Sequence, residues 1–255
     1  MMKRRTSPLH LIVGLAVSLF GIGQGAAYEV APVPNGGTVA GTVTFTGEVP
    51  PAKSFELRRA PDPIFCGALS DGLGDRLLRE VVVGQAGRLQ DVVVMIEGVR
   101  TGKPFAFEET NLETNICQFV PFVSVVRDHH PIAVTNLDPV SHDLQVYERD
   151  NEHVFIMFHR PALTKTGTAD VVKFTGVRRE ITMQCGMHPF MQGHGIAVDN
   201  PYYALTGLDG TFTIKDLPAG AYRVTAWHPI LGTQEQQIAV EAGGTVSAGF
   251  TFHAR

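Results

Sequence analysis

The sequence has few features of a helical or nucleic-acid-binding protein. In no run of useful length do apolar residues recur with helical periodicity, which argues against a helical bundle. No cluster of lysine and arginine follows Arg5, and the 255-residue chain has 21 basic against 25 acidic residues. Because nucleic acids and anionic membrane surfaces attract basic patches, we expect neither as a partner.

The motifs of several enzyme classes are also missing. The sequence contains no zinc-protease helix, no phosphate-binding glycine loop, and no Ser, His and Asp in the order of a known triad. Its glycines lie between alternating apolar runs, where they mark turns. We therefore do not predict an enzyme.

The N-terminus has the pattern of a secretory leader. Basic residues 3–5 precede an apolar run at 11–20, and small residues follow at 25–27. The apolar run is shorter than the roughly 20 residues that span a bilayer, which disfavours a membrane anchor. We interpret residues 1–27 as a cleaved leader and predict export to the bacterial periplasm. The mature chain then has 18 basic and 25 acidic residues, a formal charge of −7 that suits a basic protein partner.

The mature chain is predicted to be all-β. Short alternating or β-branched runs separated by turn residues are typical of β-sandwiches. We predict strands at 37–50, in a pair of runs at 79–84 and 89–98, and at 142–148. Residues 234–252 are predicted to form a hairpin that turns at two adjacent glycines.

Two regions are less regular. Residues 51–77 are rich in Pro, Asp and Gly and are predicted to form a long loop. The stretch after residue 153 mixes an apolar run with Pro, Gly and Thr, and only 171–174 is predicted there as a strand.

Three potential metal ligands lie close together after a predicted strand. Cys185, His188 and Met191 recur at intervals of three, and Cys185 is in phase with Ile181 and Met183, so its side chain should point inward. A thiolate, an imidazole and a thioether suit copper, whereas a thioether is a poor ligand for zinc, the lesser alternative.

A type 1 copper site needs a second imidazole, for which His142 is the best candidate. It begins a run in which Leu144 and Val146 share its phase, so it should lie on the buried face. Other His and Met residues have simpler interpretations. We expect His129 and His130 in a turn that faces water, Met183 in the core, and Met187 and His194 in loop positions near the site. His228 is expected to make a structural hydrogen bond, and His153 and His159 are assigned no role.

The other two cysteines are an even pair if Cys185 binds metal. Cys66 and Cys117 could then form a structural disulfide in an oxidising compartment. The sequence does not show that they meet.

The segment CGMHPFM resembles the ligand loop of the amicyanin family of blue copper proteins, whose pattern is Cys-x-x-His-Pro-x-Met. The upstream NLDPVSHDL resembles the loop that supplies the other histidine in that family. The resemblance implies one type 1 copper ion held by His142, Cys185, His188 and Met191. Asp143 departs from the family's usual Asn, and its charge should lower the reduction potential.

A broader resemblance covers most of the mature chain. It is similar to exported bacterial plastocyanin-like proteins labelled methylamine-utilisation proteins, which carry two extra cysteines. The segment DNPYYALTGLDGTFTIKDLPAGAYRVTAWHP resembles carboxypeptidase regulatory-like (transthyretin-like) domains. These resemblances imply a cupredoxin-like Greek-key sandwich at 60–200. It would be inserted into a smaller transthyretin-like sandwich formed by 37–50 and 201–255.

The function these features predict is single-electron transfer between redox partner proteins. The solvent-facing edge of His188 is the predicted exit for the electron. In multicopper oxidases a histidine on each side of the ligand cysteine connects the site to a trinuclear copper cluster. Here the neighbours of Cys185 are Gln184 and Gly186, so this connection is absent. Two alternatives stay open: a copper-binding or copper-delivery module, and an interaction sandwich that retains only part of a site.

Overall fold

A computed structural model describes residues 27–149, 154–164, 170–173 and 180–254. The predicted leader lies outside this range apart from Ala27. No helix in the described residues is long and apolar enough to cross a membrane. The prediction of an all-β chain is confirmed, since strands form nearly all the regular structure described.

The described residues form twenty strands. In chain order the first ten are β1 Glu29–Val30, β2 Gly37–Thr46, β3 Lys53–Glu56, β4 Asp75–Leu78, β5 Val93–Glu97, β6 Thr101–Gly102, β7 Thr110–Thr114, β8 Phe119–Val120, β9 Val123–Arg127 and β10 Pro131–Asn136. The series continues with β11 His142–Arg149, β12 Val154–Leu163, β13 Asp170–Lys173, β14 Glu180–Cys185, β15 Gln192–Val198, β16 Tyr203–Leu205, β17 Thr211–Leu217, β18 Gly220–His228, β19 Gly232–Val240 and β20 Thr245–His253. One short α-helix, α1, covers Pro63–Cys66, and 3-10 turns cover Leu57–Arg59, Gly67–Leu69 and Gln85–Gly87.

One sandwich is built from distant parts of the chain, and we call it the discontinuous sandwich. Its sheets have the strand orders β16-β5-β18-β19 and β17-β2-β20. Alternating residues such as Val39 and Val43 on β2 and Val224 on β18 enter one shared apolar core. Burial of this core joins β2 to β20, the last strand, and these two strands pair in parallel.

The second sandwich lies between those parts of the chain, and we call it the inserted sandwich. Its sheets have the orders β13-β10-β7-β8 and β12-β11-β14-β15-β9. Leu112 and Val134 from the first sheet share a core with Leu144, Ile181 and Met183 from the second. The last three lie on strands β11 and β14, whose ends carry the predicted metal ligands.

The division between the sandwiches differs from the predicted bounds. Residues 79–98 were predicted to lie in the 60–200 unit, but β5 pairs with β16 and β18 of the discontinuous sandwich. The run VVMIE is apolar on both faces, because Val94 and Ile96 enter the core of that sandwich while Val93 and Met95 face the neighbouring unit. Such a strand carries no alternation from which its sheet could be assigned.

Residues 53–78 lie against the inserted sandwich, and the chain then continues into β5 of the discontinuous sandwich. The predicted loop at 51–77 holds the β3–β4 hairpin and α1, and Leu57 and Cys66 are buried in the core of the inserted sandwich. The structure joins Cys66 to Cys117 by a disulfide, as the predicted pairing requires.

Three local strand predictions need correction. Residues 79–84 form no regular strand; Val83 makes only an isolated bridge to Leu89. The predicted hairpin at 234–252 is wrong, because β19 pairs with β18 whereas β20 pairs with β2, so Gly243 and Gly244 connect two sheets. Residues 154–163, left unassigned by the sequence pattern, form the edge strand β12 beside β11.

The two sandwiches meet along a small apolar seam. It consists of Val93, Met95 and Trp227 from the discontinuous sandwich and Val123, Ile196 and Val198 from the inserted one. The indole N–H of Trp227 also donates a 3.0 Å hydrogen bond to Glu180 Oε1 on β14. The strand that ends at Cys185 is therefore bonded at its other end to the discontinuous sandwich.

Candidate metal centre

Strand pairing brings the predicted ligands together. β11 runs antiparallel to β14 with Leu144 opposite Cys185, so His142 at the start of β11 lies beside the end of β14. A tight turn follows, in which the Met191 N–H donates to the His188 carbonyl at 2.8 Å and the Cys185 N–H donates to the Met191 carbonyl at 3.1 Å. This turn folds His188 and Met191 back over the strand end.

Three of the four predicted ligands converge on one point. His142 Nδ1 lies 3.2 Å from His188 Nδ1, which lies 3.5 Å from Cys185 Sγ. Both imidazoles are 0% exposed and Cys185 is buried. Donors that share one ion with bonds of roughly 2.0–2.3 Å stand about 3–4 Å apart, so this spacing fits a single metal ion. The three side chains form a potential metal-binding group among the described residues.

The outer nitrogen of His142 is held by a carboxylate. His142 Nε2 donates to Asp138 Oδ2 at 2.8 Å, and Asp138 also accepts the backbone N–H groups of Ile116 at 2.6 Å and Cys117 at 2.9 Å. Thr114 and Asn136 extend the network, since Asn136 Oδ1 accepts from the Thr114 hydroxyl and from the Asp138 N–H. Two backbone donors thus fix the Asp138 carboxylate, and the carboxylate fixes the imidazole.

The outer nitrogen of His188 is held by the segment before α1. His188 Nε2 lies 3.2 Å from the Pro61 carbonyl oxygen and 3.6 Å from Asp62 Oδ2. A carbonyl oxygen can only accept, so Nε2 carries the proton. His188 therefore has its lone pair on Nδ1, directed inward.

The two inner nitrogens are left as facing acceptors. Burial lowers the pKa of both His142 and His188, although Asp138 opposes this for His142, so each ring is neutral and has one N–H. That proton is on Nε2 in both rings, so both Nδ1 lone pairs face each other across 3.2 Å. Two buried acceptors at this distance repel, and a metal ion between them would replace that repulsion with two bonds. The pocket therefore fits a metal ion.

The thiol of Cys185 has one direct donor from the neighbouring strand. The Asp143 N–H points at Cys185 Sγ at 3.3 Å, and the Gly186 N–H donates to the Asp143 carbonyl at 2.8 Å. Burial raises the pKa of the Cys185 thiol, and the N–H of Asp143 partly opposes that rise. A bound cation reverses this balance because it favours the thiolate.

Met191 is fully buried beside this group and makes the two backbone bonds of the turn. Its role as an axial ligand stays a prediction.

Asp143 acts through its backbone more than the sequence suggested. The two ligand segments are tied by its N–H and carbonyl, whereas its side chain accepts from His159 Nε2 at 2.6 Å and Gln145 Nε2 at 3.2 Å. His159, to which the sequence assigned no role, is thus the partner of this carboxylate. It lies on β12, the strand that the sequence pattern missed.

Asp138 and Pro61 were also not predicted as part of the site. Asp138 lies four residues before His142 in the quoted segment NLDPVSHDL, so a search for carboxylates near the ligand would have found it. Pro61 gave no such signal, because it acts through its carbonyl and comes from a segment predicted as a loop. A second group of donors joins Cys117, Asp138 and His142, but Cys117 is in the disulfide and has no thiolate to offer.

The other histidines lie away from the group of ligands. His194 is on β15 with its ring against Phe122, and His228 accepts two backbone N–H groups through Nδ1, as the predicted structural role implies. Met183 is in the core, and His153 lies outside the described residues.

Comparison with known families gives one match over part of the chain. Residues 191–248 match the family described as polysaccharide lyase family 4, domain II. The match lies where a carboxypeptidase regulatory-like segment was expected and spans 58 of the 255 residues. No curated protein matches the chain.

Similar solved structures include several cupredoxins. A purple cupredoxin from Nitrosopumilus maritimus is 18% identical with a TM-score of 0.28, covering 35% of this chain and 99% of that one. Amicyanin from Paracoccus versutus is 16% identical with a TM-score of 0.29, covering 41% and 97%. Reduced auracyanin from Roseiflexus castenholzii is 13% identical with a TM-score of 0.29, covering 36% and 98%. The expected relation to methylamine-utilisation proteins stays a prediction.

Proposed function

We propose that this protein is a periplasmic type 1 copper protein that carries single electrons between redox partner proteins. The observation that best supports this proposal is the pair of buried Nδ1 acceptors that face each other beside a buried thiol. Two imidazoles and a thiolate are the trigonal set of blue copper sites, which a weak axial thioether completes. In the proposed site the ligands are His142, Cys185, His188 and Met191.

The residues around these ligands would keep their positions during electron transfer. Copper supplies the one-electron chemistry by cycling between Cu(I) and Cu(II). Asp138 and the Pro61 carbonyl fix the two rings, and the Asp143 N–H stabilises the charge on Cys185. Burial keeps bulk water away from all four side chains. Ligands held in this way need little rearrangement when the charge at the site changes.

The predicted electron exit through an exposed edge of His188 is wrong. His188 is 0% exposed, and Pro61 and Asp62 cover its outer nitrogen. In the proposed carrier the electron therefore leaves through the hydrogen bond to the Pro61 carbonyl, and the partner docks on the segment that contains Pro61.

A copper titration tests the proposal. Adding Cu(II) to the purified mature protein should give an intense blue or purple absorption from thiolate-to-copper charge transfer, saturating at one equivalent. The Cys185→Ser variant should bind without this colour, because it lacks the thiolate. Weak absorption in the unmodified protein at saturation would rule out a type 1 site.

Redox cycling separates a carrier from a delivery module. A carrier should keep its copper through repeated reduction and reoxidation in the presence of a Cu(I) chelator, because all four proposed ligands are buried. Loss of copper in the first reduction would favour delivery.

A further inference from the structure

A short segment covers the outer side of the proposed metal site. Residues 57–69, which we call the cap, include the turn Leu57–Arg59, helix α1 and the turn Gly67–Leu69. Between the first turn and α1, the cap places Pro61 and Asp62 over Nε2 of His188. The same cap presents Ile64 to solvent with 99% of its surface exposed.

The cap is attached to the body that it covers by apolar packing and one disulfide and, among the described residues, not by main-chain hydrogen bonds to the sheets. In the described part of the chain, its main-chain hydrogen bonds join residues within 57–74 only, apart from the bond that Pro61 accepts from His188. Its remaining attachments are the disulfide from Cys66 to Cys117, the burial of Leu57 and Cys66 in the apolar core, and the packing of the partly buried Ala60, Phe65 and Leu69 against that core. A segment that has no main-chain hydrogen bond to the described sheets can open without unfolding the sandwich beneath it.

The other sides of the site are closed by the sandwich itself. His142 is covered by Asp138, which is buried and bonded to two backbone N–H groups. Cys185 is covered by Asp143, the adjacent residue on the paired strand. The outer edge of His188 is thus the side that is covered by a segment preceding all the strands of the inserted sandwich in the chain.

We propose that the cap is a gate on the metal site, held shut by the Cys66–Cys117 disulfide and by Leu57. Shut, it excludes small external ligands and slows the exchange of copper. Open, it exposes His188 and gives access to the Cys185 thiol, whose Sγ lies 3.5 Å from His188 Nδ1. The role in copper exchange rests on the proposed copper function, but the gate itself can be tested without metal.

The first test measures access to Cys185 in the metal-free protein. Cys185 is the one free cysteine, so alkylation by iodoacetamide reports on it alone. We expect Leu57→Ala and the double variant Cys66→Ser/Cys117→Ser to raise the alkylation rate at least tenfold. Ile64→Ala should leave the rate unchanged, because that side chain is in the cap but contacts solvent.

Leu112→Ala is the matched control for general destabilisation. Leu112 is as buried as Leu57 and belongs to the same core, but it lies on β7 and not in the cap. The gate is overturned if Leu112→Ala raises the rate as much as Leu57→Ala does, or if neither cap variant raises it. Should the double variant fail to fold, as shown by circular dichroism, the comparison of Leu57→Ala with Leu112→Ala decides.

The second test uses the copper-loaded protein. Reduced protein is mixed with a Cu(I) chelator, and we expect both cap variants to release copper at least tenfold faster than the unmodified protein and Ile64→Ala. Equal release rates would overturn the role in exchange. If no protein binds copper, the proposed function fails, while the alkylation rates still decide whether the cap is a gate.

Discussion

At the scale of single residues, Asp138 determines how His142 is presented. Its carboxylate accepts from two backbone N–H groups and from His142 Nε2, and it is almost fully buried. A partner of this kind sets the tautomer and orientation of a ligand imidazole. Cys117 supplies one of these backbone donors, and its disulfide partner Cys66 belongs to the segment whose Pro61 carbonyl holds His188. The disulfide therefore links the residues that hold the two histidines.

Asp138→Asn should weaken copper binding. The amide has one acceptor oxygen, so it leaves a backbone N–H or the imidazole N–H without its present partner. Loss of such outer partners typically costs roughly 10–100-fold in metal affinity. Competition with a chelator of known affinity measures the change, with the exposed turn residue Asp209→Asn as the control. An unchanged affinity in Asp138→Asn would contradict this role.

Met191→Leu should keep the blue colour and raise the reduction potential. Leucine is close in volume and should preserve the buried packing, but it removes the weak axial donor that favours Cu(II). Spectroelectrochemistry measures both properties on one sample. If the potential stayed the same, Met191 would not be a ligand.

At the scale of elements, the site depends on how closely the turn after β14 approaches β11. A Cβ atom built on Gly186 would lie 2.2 Å from Asp143 Oδ2 and 2.5 Å from Gln145 Nε2. Only glycine permits this approach without moving those side chains. The contact matters because Asp143 and Gly186 tie the two ligand segments together.

Gly186→Ala should therefore destabilise the metal-free protein, but by less than the about 1–3 kcal/mol of an overpacked core site, because the side-chain ends of Asp143 and Gln145 can shift. Urea denaturation measures the free energy of unfolding. Gly67→Ala in the cap is the matched control, because a Cβ there would meet nothing within 4 Å and its φ of −59° suits alanine. Equal stability of the two variants would show that the close approach relaxes without cost.

The alternation of the strands predicted which ligand side chains point into the site, but it did not predict the residues that hold the outer nitrogens of the two histidines. His142 and Cys185 share the phase of buried neighbours, and the structure places their side chains together as the alternation implied. The cover of His188 could not be predicted, because a backbone carbonyl in a Pro-rich loop leaves no signal in side-chain pattern. β5 was assigned to the wrong neighbour for a related reason: a strand that is apolar on both faces does not indicate its sheet.

At the scale of the whole molecule, the two sandwiches are joined by contacts that include a titratable residue. His228 ends β18 and is 0% exposed; burial, assisted by His194 of the inserted sandwich, lowers the pKa of His228 from 6.5 to about 4. The neutral ring accepts the N–H groups of Ile230 and Leu231 through Nδ1. Trp227, the only tryptophan, lies next to it in the seam.

Acid should weaken this part of the molecule between about pH 6.5 and pH 4. Above pH 6.5 His228 is neutral in both the folded and the unfolded chain; as the pH falls, the unfolded chain takes up the proton first, so stability decreases. The shift corresponds to roughly 2–3 kcal/mol at pH 4.5. Urea unfolding followed by Trp227 fluorescence at pH 7 and pH 4.5 should show this loss in the unmodified protein.

The His228→Asn variant is the control for the acid effect. Its amide oxygen can accept the same backbone N–H groups but does not titrate in this range. It should therefore lose less stability than the unmodified protein over the same pH interval. Equal losses in the two proteins would assign the acid sensitivity to other groups.

The central claim is that one copper ion is bound by two imidazoles and one thiolate in the buried pocket. X-ray absorption spectroscopy of the protein loaded with one equivalent of Cu(II) tests it most directly. We expect two nitrogen scatterers and one short sulfur scatterer, with the sulfur lost in Cys185→Ser. A copper shell of nitrogen and oxygen atoms alone in the unmodified protein would contradict the claim.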